Sequence, residues 1–161
     1  MTYKIFGLPT HILVIHLVVV GIPVAALATI AMAVRPSWRT GRIGTAIVAV
    51  DVLAVVGTYL ARLTGLEFFN KQKNGIAQLP QVIAHKNLGL TLIWYVLGIL
   101  AAAILLMLAE KYERPPLTTV FAVVAVVVAV AATVQLVRVG DAGARAVYCP
   151  VVNSDPANQC T

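Results

Sequence analysis

Charged residues are scarce in this chain. Lys, Arg, Asp and Glu make up 11% of its 161 residues, and only six of them are acidic. Soluble domains carry about 25% of these residues. Hydrophobic residues account for 60% of the chain, and the mean hydropathy is +0.92. This balance excludes an ordinary soluble domain and is typical of a protein embedded in a membrane.

The chain also lacks the short motifs of common enzymes. It has no nucleophile motif, no His-Glu-x-x-His and no glycine-rich phosphate loop, which argues against a hydrolytic enzyme. Its formal net charge of +6 does not indicate nucleic-acid binding. The cations cluster at the ends of apolar runs without interleaved aromatic residues, so anchoring at lipid headgroups accounts for them.

Four apolar runs fill most of the chain, and each is long enough to cross a bilayer. A transmembrane helix needs about 20 apolar residues to cross a core of about 30 Å. No run shows the strict alternation of a membrane strand, and in lipid a helix satisfies its own backbone. We therefore predict an all-α integral membrane protein, an antiparallel bundle of four helices in residues 1–148. The expected spans are 12–34, 43–63, 87–109 and 117–139, with a long surface connection over 64–86.

The direction of the spans rests on the short connections and on the two cysteines. The 35–42 connection carries Arg35, Arg39 and Arg42 and no acid, and dense positive charge in a short loop favours the cytoplasmic side. Cys149 and Cys160 lie in a polar tail, 149–161. A disulfide between them would need an oxidising compartment, whereas two unpaired thiols remain the alternative. We expect both termini and the 64–86 connection outside the cytoplasm.

Polar residues concentrate toward one end of the four spans. With a helix rise of about 1.5 Å per residue, His16, Tyr59, Thr91 and Gln135 fall at about the same depth, with Trp94 slightly deeper. Such residues usually face the interior of a bundle or a cavity. For His16, a hydrogen-bonded structural role and a ligand role both stay open. The residues expected at the outer rim are His11, Arg62, His85, Arg138 and Asp141.

Asp51 is a separate case, because it falls near the middle of the bilayer with no cation predicted at its depth. Burial there disfavours a charged carboxylate. We expect a hydrogen bond from Thr29 or to a backbone carbonyl, and we expect changes at Asp51 to affect stability rather than a bound cofactor.

Four short segments form a pattern along the chain. They are Gly7-Leu-Pro-Thr-His11-Ile-Leu-Val-Ile-His16, Thr64-Gly65-Leu66-Glu67, His85-Lys-Asn-Leu-Gly89 and Gly140-Asp141-Ala-Gly143-Ala-Arg145-Ala-Val-Tyr148. Together they resemble one known family, the small four-span bacterial membrane proteins catalogued as domain of unknown function 2231, especially its actinobacterial branch. Each segment is weak alone, but they occur in the family's order and reach residue 148.

The resemblance implies a multi-pass protein of the bacterial cytoplasmic membrane, and it implies little chemistry. Some members are joined to Rieske iron–sulfur domains, which suggests electron transfer at the outer face. This chain has Asp141 where the family usually has histidine. A histidine-ligated haem could not use that position, whereas a carboxylate there still suits a divalent metal.

Three hypotheses follow. The first is a redox protein with haem b held by His16 and His85, with Arg62 and Arg138 near the propionates, since axial histidines on bundle helices suit this cofactor. The second is a divalent transition metal held by His11, His16, His85 and Asp141. The third is a cofactor-free accessory subunit of a respiratory or transport complex, whose partners are lipid and other membrane proteins.

The predicted direction of the spans can be tested by labelling engineered cysteines in intact cells. In a variant with Cys149 and Cys160 replaced by serine, an impermeant thiol reagent should label Asn74→Cys. It should leave Ser37→Cys unlabelled until the membrane is opened. Labelling of Ser37→Cys from outside would reverse the orientation.

Overall fold

Four long helices form the molecule in this computed structural model, which describes residues 4–5, 8–72 and 74–152. Within these residues a two-residue antiparallel pairing of Lys4–Ile5 with Leu8–Pro9 precedes the first helix. Short 3-10 turns lie at Pro36–Trp38 and Ile76–Gln78. The helices are α1 (Thr10–Val34), α2 (Gly41–Lys71), α3 (Pro80–Lys111) and α4 (Pro115–Val152).

The helices pack in a ring in chain order, so the predicted four-helix bundle is confirmed. Each helix packs against the next, α4 closes the ring against α1, and α1 touches α3 across the centre. All four are long and apolar enough to cross a membrane. We call the end where α1 and α3 begin and α2 and α4 end the histidine end, after His11 and His85. The opposite end is the Arg39 end.

The valine- and alanine-rich sequence of α4 explains how it packs. Its alanines at 125, 129 and 132 are fully buried, while Val123, Val127 and Val130 are exposed toward the lipid. Small side chains let helix backbones approach closely in a membrane. The strand propensity of valine is therefore overridden, because a helix satisfies its own backbone hydrogen bonds in lipid.

The helices at the histidine end are longer than the sequence predicts. Residues 64–71 continue α2 and residues 80–86 begin α3, so the expected long connection over 64–86 shrinks to residues 72–79. Two local features favour this extension. Glu67 and Lys71 form an ion pair of 3.3 Å one turn apart, and Pro80 occupies the first turn of α3, where its missing N–H costs nothing.

At the C-terminal side of the bundle, α4 continues through the start of the predicted tail to Val152. The predicted disulfide between Cys149 and Cys160 lies outside the side chains that the structure describes.

Asp51 and Thr29 form a polar contact in the middle of the bundle, as the sequence predicts. Both residues are fully buried. The Thr29 hydroxyl lies 3.0 Å from one oxygen of the Asp51 carboxyl group and 3.3 Å from the other. This contact joins α1 to α2 at a depth where water is unavailable.

The Arg39 end contains a contact that the sequence does not predict. The Arg39 guanidinium, 13% exposed, forms a 3.0 Å ion pair with Glu110 near the end of α3. It also donates to the carbonyl oxygens of Ala33, at 2.6 Å, and Met32, at 3.3 Å. These carbonyls belong to the last turn of α1, where backbone carbonyl groups have no hydrogen-bond partner within the helix. Arg39 therefore caps the end of α1 and links it to α3.

Replacing Thr29 with valine should destabilise the bundle, because the variant leaves the buried Asp51 carboxyl group without its hydroxyl partner. An unsatisfied buried polar group costs about 1–3 kcal/mol. Thermal unfolding in a mild detergent measures the effect. Thr29→Ser, which keeps the hydroxyl, and Thr45→Val on the exposed surface should both unfold close to the wild type. A Thr29→Val variant as stable as Thr45→Val would contradict this account.

Candidate functional site

Side chains of α1, α2 and α3 meet the backbone of α4 at the histidine end. The imidazole rings of His11 on α1 and His85 on α3 lie with their centroids 6.5 Å apart and their planes at 65°. Both rings are half-buried. The His11 ring also stacks on Phe68 of α2, with a centroid distance of 6.5 Å. The pair is thus held where the four helices converge.

Hydrogen bonds orient both rings in the same way. Nδ1 of His85 lies 2.9 Å from the carbonyl oxygen of Val139 on α4. A carbonyl only accepts, so this nitrogen carries the proton and Nε2 of the neutral ring keeps a lone pair. Nδ1 of His11 lies 3.4 Å from the hydroxyl oxygen of Thr64. That hydroxyl donates to the carbonyl of Leu60 at 2.8 Å, which leaves its oxygen as an acceptor for an N–H at Nδ1 of His11.

Two glycines provide the space for these rings. A Cβ on Gly65 would lie 2.9 Å from Cε1 of His11, and a Cβ on Gly143 would lie 3.0 Å from both Cε1 and Nδ1 of His85. Real Cβ atoms essentially never make a contact as short as that at Gly65, and the contact at Gly143 is tighter than most. A side chain at either position would therefore require the ring to shift. The rings rest directly on the backbones of α2 and α4.

His16, expected in the site, lies elsewhere. Its side chain is exposed, and its Nδ1 lies 2.7 Å from the carbonyl oxygen of Ile12, one turn earlier in its own helix. Tyr59 and Trp94, expected at a similar depth, are 53% and 68% exposed. The structure therefore turns these three residues of the predicted polar layer toward the lipid.

Gln135 is the member of that layer that faces the interior. Its side chain is buried, and its amide donates to the Thr91 hydroxyl at 2.9 Å and to the Leu88 carbonyl at 3.1 Å. This contact links α4 to α3 one to two turns from the histidine pair. The side-chain amide nitrogen thus has two hydrogen-bond acceptors.

The charged residues predicted at the rim separate into two groups. Arg62 on α2 is half-buried, and Arg138 on α4 is exposed. Asp141 is exposed and pairs with Arg145 one turn later, at 2.9 Å. Arg138, Asp141 and Arg145 line an open groove of about 410 Å³ between α3 and α4, together with Pro80, Gln81, Ala84, Leu88 and Ala142.

The structure brings together two of the four predicted metal ligands, His11 and His85. Among the described residues, no group of three or more His, Cys, Asp or Glu side chains lies close enough to hold one ion. His16 and Asp141 therefore do not join the histidine pair in this arrangement.

Comparison with known proteins identifies the chain at the level of family. The family model described as "Predicted membrane protein (DUF2231)" matches residues 7–156. The chain belongs to this family. No curated protein and no solved structure matches it. The four segments that resemble DUF2231 proteins in sequence supply His11, Gly65, His85 and Gly143, and these are the residues that pack together at the histidine end.

The sequence also indicates which side of its helix His11 occupies, which its depth in the membrane does not. Seven, eleven and fourteen residues after His11 come Val18, Ile22 and Ala25, which are all buried. The same steps after His85 lead to the buried residues Leu92, Val96 and Ile99. These steps follow one face of a helix. Both histidines therefore continue the buried stripes of their helices, whereas His16 does not.

Gly143→Ala should shift the His85 ring, because the added methyl group would lie only 3.0 Å from its Cε1 and Nδ1 atoms. Overpacking costs about 1–3 kcal/mol. Gly140→Ala is the matched control one turn away: a Cβ there meets nothing within 4 Å, and alanine should stabilise the helix by about 0.5–1 kcal/mol. Thermal unfolding and the ¹⁵N shifts of the imidazole report the two effects. Unchanged His85 shifts in Gly143→Ala would contradict this packing.

Proposed function

We propose that this DUF2231 protein is a membrane-embedded redox or metal-binding protein whose centre lies at the histidine end, with His11 and His85 as its protein ligands. The supporting observation is the convergence of the two rings from different helices with Nδ1 of each ring engaged. Histidines that bind metals usually donate their other ring N–H to a carbonyl or similar acceptor, which fixes the tautomer. In this bundle the acceptors are the Val139 carbonyl and the Thr64 hydroxyl.

The separation of the two ring centroids is close to that of two imidazoles bound to one ion. Metal–imidazole nitrogen distances of about 2.0–2.1 Å, as for zinc, place two ring centroids about 6 Å apart when the nitrogens face each other across the ion. The observed separation is 6.5 Å. A haem iron can take two axial ligands from the protein, whereas a structural zinc ion takes four protein ligands.

Haem b is therefore the favoured cofactor, and a divalent transition metal with further non-protein ligands is the second. Haem iron bound by two histidines serves electron transfer, and the resemblance to proteins joined to Rieske domains is in line with that role. In this proposal Arg62 and Arg138 remain the candidates for the propionates, and the histidine end faces the outside of the bacterial cytoplasmic membrane.

An accessory subunit without a cofactor is the competing proposal. The observation that favours it is the position of His16, Tyr59 and Trp94 on the outer surface of three different helices. Polar side chains inside a span rarely face lipid and usually meet other protein groups. In this alternative, the His11–His85 pair ties the helices together, and the exposed residues contact another subunit of a membrane complex.

Optical spectra and metal analysis of freshly purified protein in mild detergent separate these proposals. We expect the wild type to retain haem, seen as a Soret band, or close to one metal ion per chain. His11→Ala and His85→Ala should lose most of it, as should His85→Gln, which can still donate to Val139. His16→Ala is the matched control and should retain the cofactor, since its ring points away from the pair.

Size-exclusion chromatography and circular dichroism establish that each variant is folded. A folded wild type that holds neither haem nor metal would refute the cofactor proposal and favour the accessory subunit. Loss of cofactor in His16→Ala, with retention in His11→Ala, would move the centre to the ligand set that includes His16.

A further inference from the structure

A basic groove lies at the Arg39 end, far from the histidine pair. It has a volume of about 680 Å³ and lies between the beginning of α2 and the end of α3. The groove takes two cations from two different helices, Arg42 on α2 and Lys111 on α3. Its lining consists of Thr40, Gly41, Arg42, Thr45, Met107 and Lys111.

The charge of this groove is not neutralised within the described part of the chain. Three carboxylates there form ion pairs, with Arg39, Lys71 and Arg145. Among the described residues, neither Arg42 nor Lys111 has a carboxylate within 4 Å, that of Glu113 included, and the Lys111 ammonium group lies 6.0 Å from the centroid of the Tyr112 ring. The carboxylate closest in sequence to Lys111, that of Glu110, is bound by Arg39. Two exposed cations therefore face one open volume, and both would attract an anion placed there.

The backbone at the groove adds hydrogen-bond donors. Thr40 precedes α2 in an extended conformation, and its side chain does not cap the helix. The first N–H groups of a helix have no partner within it, so those of α2 remain available for an anion. Gly41 adopts φ +67°, and the space where its Cβ would stand is empty, which leaves the approach to these groups open.

We propose that this groove binds the phosphate headgroup of an anionic phospholipid. The groove lies at the polar end of two membrane-spanning helices, where lipid phosphates are found. Basic pockets between transmembrane helices on the cytoplasmic side suit such headgroups, and the 35–42 connection is predicted to lie on that side. Met107, one turn into α3 from Lys111, provides an apolar wall along which an acyl chain runs toward the membrane interior.

Thermal unfolding of the full-length protein in detergent, with added lipid, tests this proposal. Phosphatidylglycerol should raise the unfolding midpoint of the wild type by about 4 °C relative to the same amount of phosphatidylcholine. Arg42→Gln/Lys111→Gln should lose at least half of that difference. Arg114→Gln, which removes an exposed cation from the same end but outside the groove, is the matched control and should keep it.

Inorganic phosphate at equal concentration distinguishes a lipid from a free anion, and it should give less than half of the shift. The midpoints in phosphatidylcholine show whether each variant folds as the wild type does. The proposal is overturned by a wild type that does not discriminate between the lipids, by an unchanged difference in the double variant, or by an equal loss in Arg114→Gln. A phosphate shift as large as the lipid shift would overturn the lipid as the ligand.

Discussion

The exclusion of water from the bilayer core constrains every polar group in this bundle. A polar side chain in the interior must find its partner in the protein, and among the described residues no buried side-chain nitrogen or oxygen is left without one. Buried threonines such as Thr58 and Thr118 donate to a carbonyl one turn earlier, whereas three other contacts join two helices. Thr29–Asp51 joins α1 to α2, Gln135–Thr91 joins α4 to α3, and Arg39–Glu110 joins the end of α1 to α3. Polar contacts thus specify which helices are neighbours, while apolar packing holds them together.

The same constraint explains the glycine and alanine positions. Dispersion and close backbone approach drive helix packing in lipid, because apolar side chains gain little by leaving an apolar solvent. Ala125, Ala129 and Ala132 provide this approach along α4. At the histidine end, Gly65 and Gly143 provide it for two imidazole rings. The result is an end of the bundle at which two rings are fixed by hydrogen bonds and by the backbone beneath them.

Much of the fold follows from the sequence alone. The length of the apolar runs predicts the four spans and their helical nature. The burial of a carboxyl group in the middle of a span predicts the Thr29–Asp51 contact. The helix ends do not follow in this way, because residues 64–71 and 80–86 are polar enough to resemble a loop. In the structure the Glu67–Lys71 ion pair and Pro80 in the first turn of α3 favour the helix there. The Arg39–Glu110 pair is also invisible in the sequence, since it joins residues 71 positions apart.

Of the predicted site residues, the structure brings His11 and His85 together at one end of the bundle. Depth along the helix correctly brings polar side chains to one end, but it cannot tell which side of a helix they occupy. His11 and His16 are five residues apart, about 140° around the helix, so only one of them can face the centre. His11 lies on the same side of α1 as that helix's buried residues, so it is the histidine that faces the centre. Asp141 faces outward and pairs with Arg145.

The claim that His11 and His85 form one ligand pair is tested most directly by pulsed electron paramagnetic resonance with Cu²⁺, an ion that imidazole binds well. One equivalent of Cu²⁺ added to haem-free protein should show two coordinated imidazole nitrogens in the wild type and in His16→Ala. It should show one in His11→Ala and one in His85→Ala. An imidazole signal that is absent from the wild type, or that is the same in His85→Ala as in the wild type, would contradict the account.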